Sequence, residues 1–362
     1  MNFKKTYHPA KEPLIKYLNN RAGCGIIGIR KRRGRKAMEK QINFADIEYG
    51  NRRRKTKREE FLEKMESVIP WGKWVELIEP YYPDGKRGRR PQSIERMLRM
   101  YLLQNWFSLS DEGIEDAIYD SYAMKQFMGV NFGANEQVPD ATTLCKFRQL
   151  LNAHGIPERL FAEVQDILSS EGKMVHGGSI VDATIIEAPS SRKNAESKTD
   201  PEMHSVKKGN KWYFGMRAHI GVDPLYGFVH TVISTAANEP EVKTAPQLLR
   251  PDDEVVYGDA GYLKMERYVT DGINRDYRIN RQIGTFKRHY GDSLAWEEER
   301  RIEKRKSHVR SKVEFVFHIV KDIFGWRKAR YKGLYKNHCQ ANILFASANL
   351  YRLALQTAPC NG

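Results

Sequence analysis

From Arg58 to about Ser170 the apolar residues recur at three- and four-residue steps, and this spacing predicts helices near 58–68, 92–107, 111–120, 141–152 and 157–170. Several carry start signals. Pro91 opens the run Ile94, Met97, Leu98, Tyr101 and Leu102; Ser110, Asp111 and Glu112 precede Ile114 and Ile118; Asp140 precedes Leu144 and Phe147. After Gly172 the period shortens. Ile180 to Ile186 reads as a strand, while Trp212–Val222 and Phe228–Ser234 alternate around Asp223-Pro-Leu-Tyr-Gly as a β-hairpin, with Asp223 in the turn. A helix near 241–250, a short apolar strand at Val255–Tyr257, another helix, a strand near 277–283 and a long final helix complete the expected order. That last helix has an apolar stripe of Val309, Val313, Val316, Phe317, Val320 and Phe324.

Three acids stand out against this pattern. Asp182 falls between apolar neighbours in mid-strand, where a carboxylate without a partner costs several kcal/mol. Asp259 follows Val255–Tyr257 in a Gly-flanked turn, the position where sites form at the carboxyl edge of open α/β sheets and also where a plain turn or N-cap Asp belongs. On the last helix, steps of four, four and three from Arg310 reach Glu314, His318 and Lys321, one polar face that suits either surface ion pairing or a site. Two strand acids and one helix acid converging would repel one another unless divalent cations lay between them. A pair of Mg²⁺ ions roughly 3.5–4 Å apart is the arrangement that cleaves phosphodiesters.

Longer motifs carry a resemblance. They are Phe44-Ala-Asp-Ile-Glu-Tyr, Val181-Asp-Ala-Thr-Ile-Ile-Glu-Ala-Pro-Ser-Ser, Asp200-Pro-Glu-Met-His, Lys207-Lys-Gly-Asn-Lys-Trp-Tyr-Phe-Gly-Met, Ala218-His-Ile-Gly-Val-Asp, Gly258-Asp-Ala-Gly-Tyr, Arg310-Ser-Lys-Val-Glu and Ala329-Arg-Tyr-Lys-Gly-Leu. From about Gln41 to Leu355 the chain resembles the DDE transposases of bacterial insertion sequences, specifically the insertion sequence five family. The resemblance implies a metal-binding catalytic triad of Asp182, Asp259 and Glu314, with Arg310 and Lys321 in the Arg-Glu-Lys signature around the third acid. It also implies a ribonuclease-H-like core. The related fourth family usually has a Tyr three residues before that Arg; here the position is Ser307, and no tyrosine role is assigned. Glu187, five residues after Asp182, reads as an auxiliary acid or a structural one.

Charge changes the picture next. The net charge of +16 is concentrated: residues 1–60 hold 18 Lys and Arg against 6 Asp and Glu, mostly in the runs Arg30–Lys36 and Arg52–Arg58. Such runs suit phosphate neutralisation, and DNA fits better than an acidic membrane surface. No stretch approaches the roughly 18 apolar residues of a membrane span, and no apolar signal core follows a charged start. Cys24, Cys145, Cys339 and Cys360 form no C-x-x-C pair and the histidines no H-E-x-x-H, which leaves oxygen ligands and favours Mg²⁺ or Mn²⁺ over zinc. The spelling Gly23-Cys-Gly-Ile-Ile-Gly matches a dinucleotide fingerprint, but it follows no apolar strand and opens no helix, so no organic cofactor is expected.

The expected fold is α/β: a ribonuclease-H-like catalytic core, a mixed sheet flanked by helices, preceded by an all-α N-terminal DNA-binding domain. Expected segments are a basic arm or extension at 1–40, with Met38 a possible start; a helical DNA-binding domain at 41–172; the catalytic domain at 173–356; and a tail at 357–362. Lys86–Arg90, with Arg89 and Arg90 as candidate DNA contacts, precedes short helices that suit either a helix-turn-helix reader of DNA ends or a plain bundle with a solvated loop. Residues 189–212, ending in Lys207, Lys208 and Trp212, and the stretch Trp326-Arg327-Lys328-Ala329-Arg330-Tyr331-Lys332 interleave cations and aromatics. They suit DNA contact or solvated loops; Arg310, His318 and Lys321 join them as candidate contacts. The expected function is transposition: binding the element's terminal inverted repeats, hydrolysing its 3′ ends with two Mg²⁺ ions (Mn²⁺ substituting), and joining them to target DNA. A homodimer or larger assembly in a bacterial, nucleoid-associated cytoplasm follows from that chemistry. A DNA-binding protein without catalysis and a metal-dependent endonuclease are the alternatives.

Overall fold

The helices begin where short polar side chains replace missing backbone partners. A computed structural model describes residues 52–86, 90–130, 137–190, 199–282, 284, 288 and 294–357. The basic arm, the Gly23 motif, Arg89 and the end of the tail lie outside the described residues. Helix α1 (Lys57–Val68) opens on a capping box: Thr56 accepts the Glu59 N–H, and Glu59 in turn accepts the Thr56 N–H. Ser93 caps α3 (Ile94–Trp106), Ser110 caps α4 (Asp111–Asp120) and Asp140 caps α6 (Ala141–Ala153), the last through a 2.7 Å bond from Thr143 N. Helix α7 spans Ile156–Ser170. Two helices not expected from spacing, α2 (Trp71–Ile78) and α5 (Tyr122–Met128), fill gaps between these. Both are too short to show a period clearly.

Six strands form one mixed sheet: β1 (Gly178–Glu187), β2 (His204–Lys208), β3 (Lys211–Val222), β4 (Val229–Ala236), β5 (Val255–Gly258) and β6 (Asp276–Ile279). The path runs β2-β3-β1-β5-β6. The long β3 pairs with β2 along its first half and with β4 along its second. β1 and β3 are antiparallel, whereas β1, β5 and β6 are parallel. With helices on both faces this is the ribonuclease-H-like α/β architecture expected. The β3–β4 hairpin turns on Asp223, whose carboxylate accepts the backbone N–H groups of Leu225 (3.0 Å), Tyr226 (2.7 Å) and Phe228 (2.6 Å).

Three segments differ from expectation. The helix near 241–250 is only α8 (Glu241–Thr244), continued by a 3₁₀ turn at Ala245–Leu248, because Pro246 donates no N–H to extend it. After Asp259 there is no α-helix but two 3₁₀ turns, Ala260–Tyr262 and Met265–Arg267, separated by Lys264 at φ 69°. Lys207 and Lys208 sit not in an irregular segment but in β2 of a β2–β3 hairpin, with Lys207 opposite Trp212 of β3.

The long helix α9 (Leu294–His318) runs into a single π turn, Ile319–Ile323. Its Val313 and Val316 join Ile180, Ile186 and Ile220 in the main core. A helix with no amphipathic signal, α10 (Leu334–Thr357), follows and is buried through its central turns; it packs on α1, α3, α7 and β4. The described residues belong to one compact unit, in which the N-terminal helices and one sheet face share that core. Buried amides stitch it. Asn349 accepts from Val229 N and donates to Val229 O, both at 2.8 Å, standing in for a missing strand partner at the β3–β4 irregularity. Gln340 donates to Asn105 on α3 at 3.0 Å. Replacing Asn349 with Leu strands a buried N–H and C=O, so the variant should lose about 2–4 kcal/mol of stability, read from urea melts.

Candidate active site

The parallel pairing of β1 with β5 sets the geometry. Ile180 stands opposite Tyr257, and two residues further on come Asp182, in the middle of β1, and Asp259, just past the carboxyl end of the neighbouring β5. Neighbouring strands run about 4.8 Å apart, so the two carboxylates are forced into proximity by backbone pairing alone. Asp182 is partly buried and accepts the Ala183 N–H at 2.7 Å. Burial pushes its pKa up to about 7, the Asp259 and Glu241 charges adding to the rise while the Ala183 bond and Arg310 oppose it. Asp259 caps the following 3₁₀ turn, accepting Gly261 N–H at 2.9 Å through Oδ1.

Glu314 is not drawn in with them. Its side chain is 68% exposed on α9 and lies 3.8 Å from Arg310 Nη2, one helical turn back. Among the described residues no three His, Cys, Asp or Glu side chains are grouped closely enough to hold an ion. The aspartate pair nonetheless fits a divalent cation: two partly buried carboxylates lie close enough for the Asp259 charge to add to the burial that raises Asp182, a repulsion that a cation between them would relieve.

The structure redistributes the other candidates. Lys321 does not face solvent with Glu314; the π turn directs it to β1, where Nζ donates to Ile185 O at 3.0 Å, and burial lowers its pKa. His318 Nδ1 lies 2.7 Å from Asp322 Oδ2, and Arg327 holds the other Asp322 oxygen. Glu187 acts through its backbone, its C=O accepting Ala329 N–H at 2.7 Å and fixing the strip that carries Arg327 and Lys328. Both those side chains are exposed, as is Lys332. Two members of the strip are corrected. Tyr331 is unavailable for stacking on DNA because its ring lies beneath Arg148, 4.7 Å from the guanidinium, and Trp326 is buried. Arg330 is partly buried against Ser108, 3.3 Å away. Arg148 itself grips Asp111 with bonds of 2.7 and 2.9 Å, which holds the Asp111 carboxyl below its usual range and ties α4 and α6 to this strip. Lys207, Lys208 and Arg90 are exposed, and Trp212 is 70% exposed on the β2–β3 hairpin.

One acid was missed from sequence. Glu241 opens α8 and is partly buried, with Arg217 Nη1 3.0 Å from its Oε1. Burial raises its pKa, Arg217 opposes, and Asp259 adds to the rise. Following Pro240, it reads in sequence as an ordinary first-turn acid, so nothing local marks it.

Comparison with protein families agrees with this geometry. A family model described as "Transposase domain (DUF772)" matches residues 51–150, and one described as "Transposase DDE domain" matches residues 173–350. The chain belongs to the DDE transposases. Transposase activity is therefore the class of function, and members of the family generally use divalent metal ions.

The Asp182 shift fixes a pH signature for the metal-free chain. Its folded pKa is raised, so its stabilising contribution is complete below about pH 4 and is lost as pH rises through about 7. Asp182→Asn should equal the parent chain near pH 4 and exceed it by about 1–3 kcal/mol at pH 8. Chemical denaturation in EDTA across that range checks it.

Proposed function

We propose that this chain is a transposase of the insertion sequence five type that cuts the 3′ ends of its element and joins them to target DNA, with Asp182, Asp259 and Glu314 as catalytic carboxylates. The observation that carries the reading is the proximity of Asp182, in the middle of β1, to Asp259, just past the carboxyl end of the neighbouring β5, within the stretch matched by the DDE domain. Asp182 and Asp259 hold the cation site from the sheet. Glu314 completes it from α9 once its exposed carboxylate turns from Arg310 toward the aspartates. Bound Mg²⁺ or Mn²⁺ would supply Lewis-acid activation of the attacking oxygen and stabilisation of the departing one.

The chain's own cations position the substrate. Exposed Lys207, Lys208, Arg327, Lys328 and Lys332 neutralise phosphates around the site, and Trp212 offers an open ring to a base. Arg310, released from Glu314, is free to meet a phosphate. His318 and Arg327 share Asp322, so the Arg327 charge toward DNA is partly compensated. Arg90, beside the capped helices α3 to α6, belongs to the face that grips the terminal repeats, and the basic residues 1–60 add non-specific affinity. Joining two ends to one target requires at least two protomers on the DNA. No described helix is long and apolar enough to cross a membrane, and a transposase acts where the chromosome is, in the bacterial cytoplasm.

The test is an assay with labelled DNA bearing the element's own ends and a target plasmid, in Mg²⁺, Mn²⁺ or EDTA. Joined product should require metal and fall at least 100-fold in Asp182→Ala and Asp259→Asn, which should still bind the ends. Cutting without joining would identify an endonuclease, and binding without either would identify a non-catalytic DNA-binding protein. Trp212→Ala should weaken end binding several-fold without changing the metal requirement.

A further inference from the structure

A divalent cation beside Asp182 and Asp259 needs more oxygen ligands than those two side chains present, since Mg²⁺ takes about six. Glu314 would come from the α9 side in the site as proposed. Asp182 shares its strand face with Ile180 and Ile186, which pack in the core with Val313 and Val316 of α9. Glu241 comes from the opposite face, where Val181, Ala245, Leu248, Val256 and Tyr262 form a separate cluster. Its carboxylate reaches the sheet edge beside Asp259.

Gly261 records how closely the two approach. A Cβ at that position would lie 2.9 Å from Glu241 Oε2 and 3.0 Å from Asp259 Oδ1. The two oxygens therefore flank one point and are separated by at most about 6 Å. Oxygens sharing one Mg²⁺ lie at most about 4 Å apart, a closure within reach of a carboxylate rotamer. Arg217, itself buried, meets Oε1 at 3.0 Å and also donates to Glu239 O at 3.1 Å, which orients the carboxylate and leaves Oε2 toward Asp259. Ligating carboxylates are commonly held in this way by a second polar group. A further sign comes from Tyr262: its ring is fully buried and its hydroxyl has no hydrogen-bond partner, although the Glu241, Asp182 and Asp259 charges all act on it. A buried hydroxyl without a partner beside three carboxylates fits a centre whose oxygen ligands, water included, complete it.

We propose that Glu241 is a fourth metal-binding carboxylate of this centre, presenting Oε2 to the cation that Asp182 and Asp259 hold while Arg217 fixes Oε1. The proposal rests on the metal-dependent site described under Proposed function. A merely structural role, as the ion-pair partner of Arg217, predicts no effect on metal affinity.

The experiment is Mn²⁺ titration of the full chain without DNA, free Mn²⁺ being followed by electron paramagnetic resonance, for the parent, Asp182→Asn, Asp259→Asn, Glu241→Gln and Gly261→Ala. Circular dichroism melts check folding. Glu241→Gln should weaken Mn²⁺ binding at least tenfold. Gly261→Ala, which removes no charge but crowds Glu241 Oε2 and Asp259 Oδ1 together, should do likewise, and should Glu241→Gln fail to fold, Mn²⁺ affinity unchanged in Gly261→Ala overturns the role of Glu241. Mn²⁺ affinity unchanged in a folded Glu241→Gln, while the aspartate variants lose it, overturns the role of Glu241 and leaves the aspartate site standing. A parent chain that takes up no Mn²⁺, or aspartate variants that bind as the parent does, overturns the site itself and this inference with it.

Discussion

The arrangement of this protein depends on one backbone constraint, the parallel pairing of β1 with β5. Three register pairs, from Gly178 with Val255 to Ile180 with Tyr257, bring two distant stretches of chain into step. Everything chemical follows from the next two residues on each side. The pairing stabilises the sheet, yet it also forces Asp182 and Asp259 against each other, and burial raises the Asp182 pKa toward neutrality. Packing around the pair supplies the rigidity that keeps this unfavourable arrangement from relaxing. Ile180 and Ile186 are buried against α9 on one face, and Val181 is buried with Val256 and Tyr262 on the other.

The helical region and the sheet are held in one frame by α10. A helix buried along most of its length turns its polar side chains inward, and the amide N–H groups of Asn337, Gln340 and Asn349 donate to loop, helix and strand acceptors. Arg148 adds a second tie through Asp111 and the ring of Tyr331, linking α4 and α6 to the strip that follows α9 and its π turn. That strip is also pinned to Glu187 at the end of β1. A shift of the N-terminal helices would therefore reach the residues beside Asp182 through packed side chains and backbone bonds.

Much of the chain was legible before its structure. The helices α3, α4, α6 and α7, the Asp223 hairpin, and the motifs around Asp182, Asp259 and Glu314 could be read directly, because each depends on local spacing or on turn chemistry. What failed did so for physical reasons. α10 shows no polar face to mark its period, because core surrounds it. The stretch after Asp259 has helix-forming residues, but the Asp259 cap and Lys264 at positive φ divide it into two 3₁₀ turns. Tyr331 and Trp326 look in sequence like rings interleaved with cations for stacking on bases, and only packing shows them to be interior.

By itself, then, the sequence determined the class of fold, the family resemblance and the identities of the acids on the strands and the helix, since these reside in periodicity and in contiguous motifs. Tertiary structure decided which of those acids meet. Asp182 and Asp259 meet because strand register is a long-range property. Glu314 points to solvent because α9 presents only its valine stripe to the sheet. Glu241 stands beside the aspartates although nothing in its surroundings along the chain distinguishes it from a first-turn helix acid. The position of a charged side chain relative to another some twenty or more residues away is fixed by how sheets and helices pack, and no local pattern encodes it.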